Sequence, residues 1–244
     1  MFQLPKVVLV HGAFANAGCW SKLVPLLHAK GLAPTASHCP LSSLADDVAA
    51  VHRTIDMQDG NVLLVGHSWG GAVITEAGNH PKVRGLVYIA AAAPDTGQSF
   101  SQWWADYPVA PGAPEIKAYG DDRIALTLDG FRKHFAQDLA QDEIEVMYCL
   151  QGPFAPTSNE QPITSAAWRD KPSWFICGEN DHMLLISLER DTAQRLEART
   201  AVLRSSHVPM LSHPGNVAEI IADAAIELAR GPVENAIPTE AMAV

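Results

Sequence analysis

The chain carries little charge, and that charge is lopsided. Only 18% of its 244 residues are Asp, Glu, Lys or Arg, and 27 acidic side chains stand against 17 basic ones, for a formal net charge of −10. A surplus of carboxylates repels phosphate, which argues against nucleic acids and anionic membranes as partners. Cysteine is scarce too. Cys19, Cys39, Cys149 and Cys177 lie far apart with no C-x-x-C spacing, so they offer no disulfide framework and read as free thiols of a cytoplasmic protein. The ten histidines show no ligand spacing, and no metal is expected. No apolar run is long enough to cross a membrane. The start, Met1-Phe2-Gln3-Leu4-Pro5-Lys6, runs directly into an expected strand and lacks the basic start and small-residue cleavage site of a secretion signal. What is present is a chain 48% hydrophobic and long enough for one substantial core.

Short apolar runs alternate with amphipathic segments, which predicts an α/β protein whose mostly parallel sheet is covered by helices on both faces. Six strands are expected at residues 7–10, 34–39, 62–65, 85–90, 173–177 and 200–204. An amphipathic segment spans 19–30. A helix starts at Ser43, where Ser43-x-x-Asp46 resembles a capping box and Leu44, Val48, Val51 and Ile55 share a face. The last helix begins near Pro214, turns Val217, Ile220, Ile221, Ala224 and Leu228 inward, and stops at Gly231. Residues 94–170 break the alternation and are rich in aromatics. They are too long for a loop and too apolar for disorder, so they are expected to form a lid over the carboxyl ends of the strands. The expected organisation is a core of 1–93 and 171–231, a lid of 94–170, and a fraying tail of 232–244.

The most telling motif is Gly66-His67-Ser68-Trp69-Gly70-Gly71, directly after the apolar run Val62-Leu63-Leu64-Val65. G-x-S-x-G between a strand and a helix is the pattern of a nucleophile elbow. The bare pattern arises by chance in roughly 8% of chains this long. Its placement after a buried strand and before the apolar Ala72-Val73-Ile74 is what raises it above that background.

A serine hydroxyl attacks only when a base takes its proton and a carboxylate orients the base. Elbow enzymes carry these in the chain order serine, acid, histidine, on loops after later strands. His207 lies after the sixth expected strand and is the candidate base, with His213 as a nearby competitor. Asp181 lies after the fifth and is the first-ranked acid, with Glu179 on the same loop and Asp95 after the fourth strand as alternatives. The oxyanion of a tetrahedral intermediate needs two donors. The backbone N–H groups of Trp69 and Ala13, the latter in the turn His11-Gly12-Ala13-Phe14, are the candidates. His11 is expected to brace that turn rather than move protons.

With these residues in order, the chain resembles the α/β-hydrolase superfamily over residues 5–230. Val7 to Ala13, the Ser68 hexapeptide, Gly178-Glu179-Asn180-Asp181 and Ser206 to Pro214 carry the resemblance. Gly18-Cys19-Trp20 and Val24-Pro25-Leu26-Leu27 look most like the small esterases that include plant methylesterases and hydroxynitrile lyases. The resemblance implies an α/β-hydrolase fold with a six-stranded sheet, no cofactor, and Ser68, His207 and Asp181 as the triad. It also discriminates within that branch. Those lyases carry a threonine where this chain has Gly12 and a lysine where it has Val208, so a carboxylic ester hydrolase is favoured over a lyase.

The expected substrate is a small-molecule ester, bound by a monomer or homodimer, with Phe14, Trp103, Trp104 and Met183 (beside Trp69) walling the pocket. A thioesterase or C–C bond hydrolase on the same triad remains an alternative. So does a non-catalytic small-ligand receptor on the same fold.

Overall fold

The computed structural model describes residues 3–120 and 122–231; the tail expected at 232–244 lies outside them. The order of elements is β1 (Lys6–Val10), α1 (Leu23–Ala29), β2 (Pro34–Ser37), α2 (Leu44–Asp56), β3 (Val62–Ser68), α3 (Trp69–Ala77), β4 (Val83–Ala91), α4 (Phe100–Trp104), β5 (Ile116–Ala118), β6 (Ile124–Leu126), α5 (Leu128–Gly130), α6 (Gln141–Leu150), β7 (Ser173–Gly178), α7 (Ile186–Arg195), β8 (Arg199–Leu203), α8 (Pro209–Ser212) and α9 (Pro214–Arg230). Six strands make one sheet in the order β2-β1-β3-β4-β7-β8, and every pair in it is parallel.

The sequence of β3 explains its place in the middle. Val62 to His67 are all buried, and successive strand residues point to opposite faces, so both faces of the sheet are covered. Helices α2 and α3 pack on each other, as do α1 and α9. Helix α2 starts as its sequence predicts, with the Ser43 hydroxyl accepting from the Asp46 N–H at 3.0 Å. Helix α9 ends at Gly231, whose φ of 72° is the left-handed conformation that suits glycine.

Three details depart from the sequence pattern. The segment 19–30 is not continuous: a short turn, Ala17–Trp20, precedes α1, and the Asn16 side chain accepts from the Gly18 N–H to close that turn. The third strand runs on from Val65 to Ser68, because β4 pairs with it as far as Ala91, through a register shift between His67 and Ser68. On α2, Val48 is only half buried while Asp47 is fully buried; hydrogen bonds described below hold that carboxylate inside. Between β4 and β7 the chain leaves the sheet, forming the antiparallel pair β5-β6 and short helices. Phe131, Phe135 and Phe154 from this stretch are fully buried and join the main core. Among the described residues, no helix is long and apolar enough to cross a membrane.

Candidate active site

Ser68 ends β3 and α3 begins at the next residue. Its φ of 53° and ψ of −122° are a conformation that non-glycine residues seldom adopt, at roughly 1–3 kcal/mol. The turn closes only because its neighbours are small: a Cβ on Gly70 would stand 2.5 Å from the Val10 carbonyl oxygen. The same holds across the site at Gly12, where a Cβ would stand 2.6 Å from Ser68 Cβ and 2.8 Å from the His67 carbonyl oxygen. This backbone has no room for the threonine that the lyases carry there, and Val208, in the place of their lysine, is fully buried.

Trp69 occupies the first position of α3, so its backbone N–H has no acceptor inside the helix. Its indole is anchored: Nε1 donates to Asp47 Oδ2 at 2.8 Å, while Asp47 Oδ1 accepts the Leu41 N–H at 2.8 Å. Burial raises the Asp47 carboxyl to about 6. Ala13 lies in the turn after β1, and Phe14 beside it has a positive φ of 57°. His11 braces that turn. Its Nε2 accepts the Cys39 N–H at 3.1 Å, which leaves the proton on Nδ1 for the Gly12 carbonyl at 3.0 Å. Burial holds its pKa below the usual value, in keeping with the neutral ring these bonds require.

His207 follows β8 on a loop tied down at two points. The Ser206 N–H donates to Asp138 Oδ2 at 2.8 Å. The His67 ring donates from Nε2 to the His207 carbonyl at 2.8 Å. Burial, with His207 beside it, keeps the pKa of His67 well below the ordinary histidine range, and its buried Nδ1 has no partner. His207 Nδ1 stands 2.6 Å from Asp181 Oδ2, with 2% and 0% of the two side chains exposed. Asp181 Oδ1 also accepts the N–H groups of Met183 at 2.7 Å and Leu184 at 2.9 Å. Three donors therefore converge on one carboxylate.

The other candidate acids lie elsewhere. Asp95 pairs with Arg169, and Glu179 faces Arg204 at 3.5 Å near the surface. His213 hydrogen-bonds Ser212.

Ser68, His207, Ala13 and Trp69 all line one cavity of about 70 Å³, and its other walls are mainly aromatic and aliphatic. Phe14, Trp104 and Met183 are among them. Trp103 is not. It is buried, and its indole donates to Thr192 at 3.1 Å, away from the cavity. The one-turn helix α4 sends adjacent tryptophans in different directions, and sequence order alone could not choose between them.

Two further residues carried no sequence signal. Asn159 puts an amide on the cavity wall, and its Oδ1 has no partner. Glu189, on α7, is wholly buried; its Oε2 accepts the Gly178 N–H at 2.8 Å, and Oε1 has no partner. Burial and the neighbouring Asp181 carboxylate push its pKa well above the usual glutamate range.

Residues 7–220 match the model of the alpha/beta hydrolase family. Among curated proteins, the chain is 28% identical to a pyrethroid hydrolase of Sphingobium wenxiniae, over 89% of this chain and 86% of that protein. It is 27% identical to methylesterase 2 of Arabidopsis thaliana, over 85% and 90%. Among solved structures, a pyrethroid hydrolase with BIF superposes with a TM-score of 0.81 at 23% identity, covering 93% of this chain and 100% of the other. Polyneuridine aldehyde esterase superposes at 0.78 with 20% identity, over 91% and 99%.

Proposed function

This chain belongs to the alpha/beta hydrolase family, and from that premise we propose that it is a carboxylic ester hydrolase working through an acyl-enzyme. The observation that carries the reading is the buried His207–Asp181 pair at 2.6 Å, on the same cavity as a serine held at a strained strand-to-helix turn. The esterase and hydrolase relatives support the choice of an ester and of a small-molecule substrate.

In this mechanism Ser68 Oγ attacks the acyl carbon while His207 Nε2 takes its proton. Asp181 keeps the other ring proton on Nδ1 and stabilises the imidazolium that forms. The backbone N–H groups of Ala13 and Trp69 bind the oxyanion. They lie at the turn after β1 and at the start of α3, where peptide dipoles favour negative charge. The tetrahedral intermediate collapses, the C–O bond to the alcohol breaks, and His207 returns its proton to the departing oxygen. Water, deprotonated by His207, then attacks the acyl-serine and releases the acid. The segment between β4 and β7 acts as the lid, since Phe100, Trp104 and Phe154 from it wall the cavity.

The test is hydrolysis of p-nitrophenyl esters by the wild type and by Ser68→Ala. A loss on the order of 10⁶ in kcat is expected on removing such a nucleophile. Equal rates in the two proteins would refute the assignment.

A further inference from the structure

The catalytic cavity is small. An engineered apolar cavity that takes up benzene measures about 150 Å³, so about 70 Å³ holds only a short group beside the reacting carbonyl. A second chamber of about 260 Å³ adjoins it. Trp104, Ala113, Met183 and Leu184 line both, so these four side chains are a shared wall.

Among the described residues, the second chamber is lined by none that is charged: beyond the shared wall it is lined by residues such as Val109, Ala110, Leu185 and Leu188. Among the described residues, its one side-chain hydroxyl, on Tyr107, already donates to Asp191 at 2.6 Å. A space with no free polar side chain gains from apolar surface and penalises polar groups. A further cavity, of about 230 Å³, touches the catalytic one only through Phe14 and is lined by Asp142 and Glu143. It matches an alkyl or aryl group less well.

Met183 is the movable part of the shared wall. It is an unbranched thioether, adaptable in packing, and its side chain lies against Gly112, where any Cβ would collide with the sulfur. The Gly112 N–H donates to the His182 carbonyl at 2.8 Å, which holds the 108–113 stretch against the loop that carries Met183.

We propose that Met183 and Trp104 are a gate between the two spaces, and that the outer chamber takes the far end of a long apolar arm of the ester. The substrate class is then an ester with an extended alkyl or aryl arm rather than a short-chain ester. This rests on the esterase reading for the placement of the carbonyl at Ser68. The chamber itself is independent of that reading.

The experiment compares the wild type with Met183→Ala and Ala110→Trp. Ala110 lines only the outer chamber and is half buried in a loop, so tryptophan there fills the space. Acyl chains are varied as p-nitrophenyl acetate and decanoate, and alcohol chains as ethyl and decyl acetate. The readout is the ratio of long-chain to short-chain kcat/KM in each series. Met183→Ala is expected to raise the ratio about tenfold, and Ala110→Trp to lower it about tenfold, in whichever series threads the gate; that series names the arm.

Calorimetric binding of 1-octanol, which needs no turnover, is expected to weaken about tenfold in Ala110→Trp. Octanol binding that weakens in a protein with no ester turnover sinks the esterase reading and leaves the chamber standing. Unchanged ratios in both series together with unchanged octanol binding overturn the proposal.

Discussion

Replacing Glu189 by glutamine isolates the charge state of a carboxyl that lies behind the proposed triad. Asp181 collects three hydrogen-bond donors, from His207, Met183 and Leu184. Glu189 collects one, from Gly178, and its other oxygen is sealed from solvent without a partner. Two buried carboxyls side by side cannot both stay ionised, and the one with fewer donors keeps the proton. The raised pKa of Glu189 agrees with that count.

The consequence for folding has a definite sign. Above the ordinary glutamate value of 4.5 the unfolded chain has lost this proton while the folded chain still holds it. The contribution of Glu189 to stability is therefore complete below that value. It falls as pH rises toward the folded value, by at most about 1.4 kcal/mol per pH unit. Glutamine has no proton to lose, yet it keeps an acceptor for the Gly178 N–H. Glu189→Gln should therefore gain on the wild type as pH rises, by up to about 1.4 kcal/mol per unit from pH 4.5 until the folded Glu189 ionises. Urea unfolding at pH 5, 6, 7 and 8, followed by tryptophan fluorescence, gives both curves. If the two run parallel, Glu189 titrates alike in the folded and unfolded chains, and the donor count has been misread.

Two further substitutions probe the supports of Ser68. Asp47→Ala strands the Trp69 indole N–H and the Leu41 N–H inside the protein; at about 1–3 kcal/mol for each unsatisfied donor, urea unfolding should show a loss of roughly 2–6 kcal/mol. Burial raises the Asp47 carboxyl to about 6, so its favourable term is whole below pH 3.8 and disappears as pH climbs through 6; Asp47→Asn should flatten that part of the stability profile. Gly12→Ala forces a Cβ to within 2.6 Å of Ser68 Cβ, an overpacking of about 1–3 kcal/mol. Because an ångström of displacement at a nucleophile can lower the rate about 10²-fold, kcat should drop by that order, and a wild-type kcat would mean that the turn yields without moving Ser68.

Local pattern was enough for the sheet. Continuous apolar runs such as Val62 to Val65 form strands because both faces are covered, and that signal lies within a few residues of chain. The elbow was legible for the same reason, since Gly66, Ser68 and Gly70 act on one another across a single turn. Chain order also ranked Asp181 ahead of Glu179 and Asp95 as the partner of His207, but the contact itself lies beyond local pattern: two loops, after β7 and after β8, had to meet before the Asp181 carboxylate stood 2.6 Å from the imidazole.

The remaining features depend on contacts between distant parts of the chain. Asp47 is held inside by Trp69 and Leu41, which come from other parts of the chain. Trp103 and Trp104 are neighbours in sequence, yet one donates to Thr192 and the other lines the cavity that Ser68 also lines. Glu189 has no motif at all; its proton is kept by burial beside Asp181. By itself the sequence determined the six strands of the parallel sheet and the strand-to-helix turn at Ser68, because those follow from short-range periodicity and turn sterics. Which carboxyl keeps its proton, which tryptophan lines the cavity and how far the cavity extends were decided only by the tertiary structure, because desolvation and contact are properties of the folded surroundings.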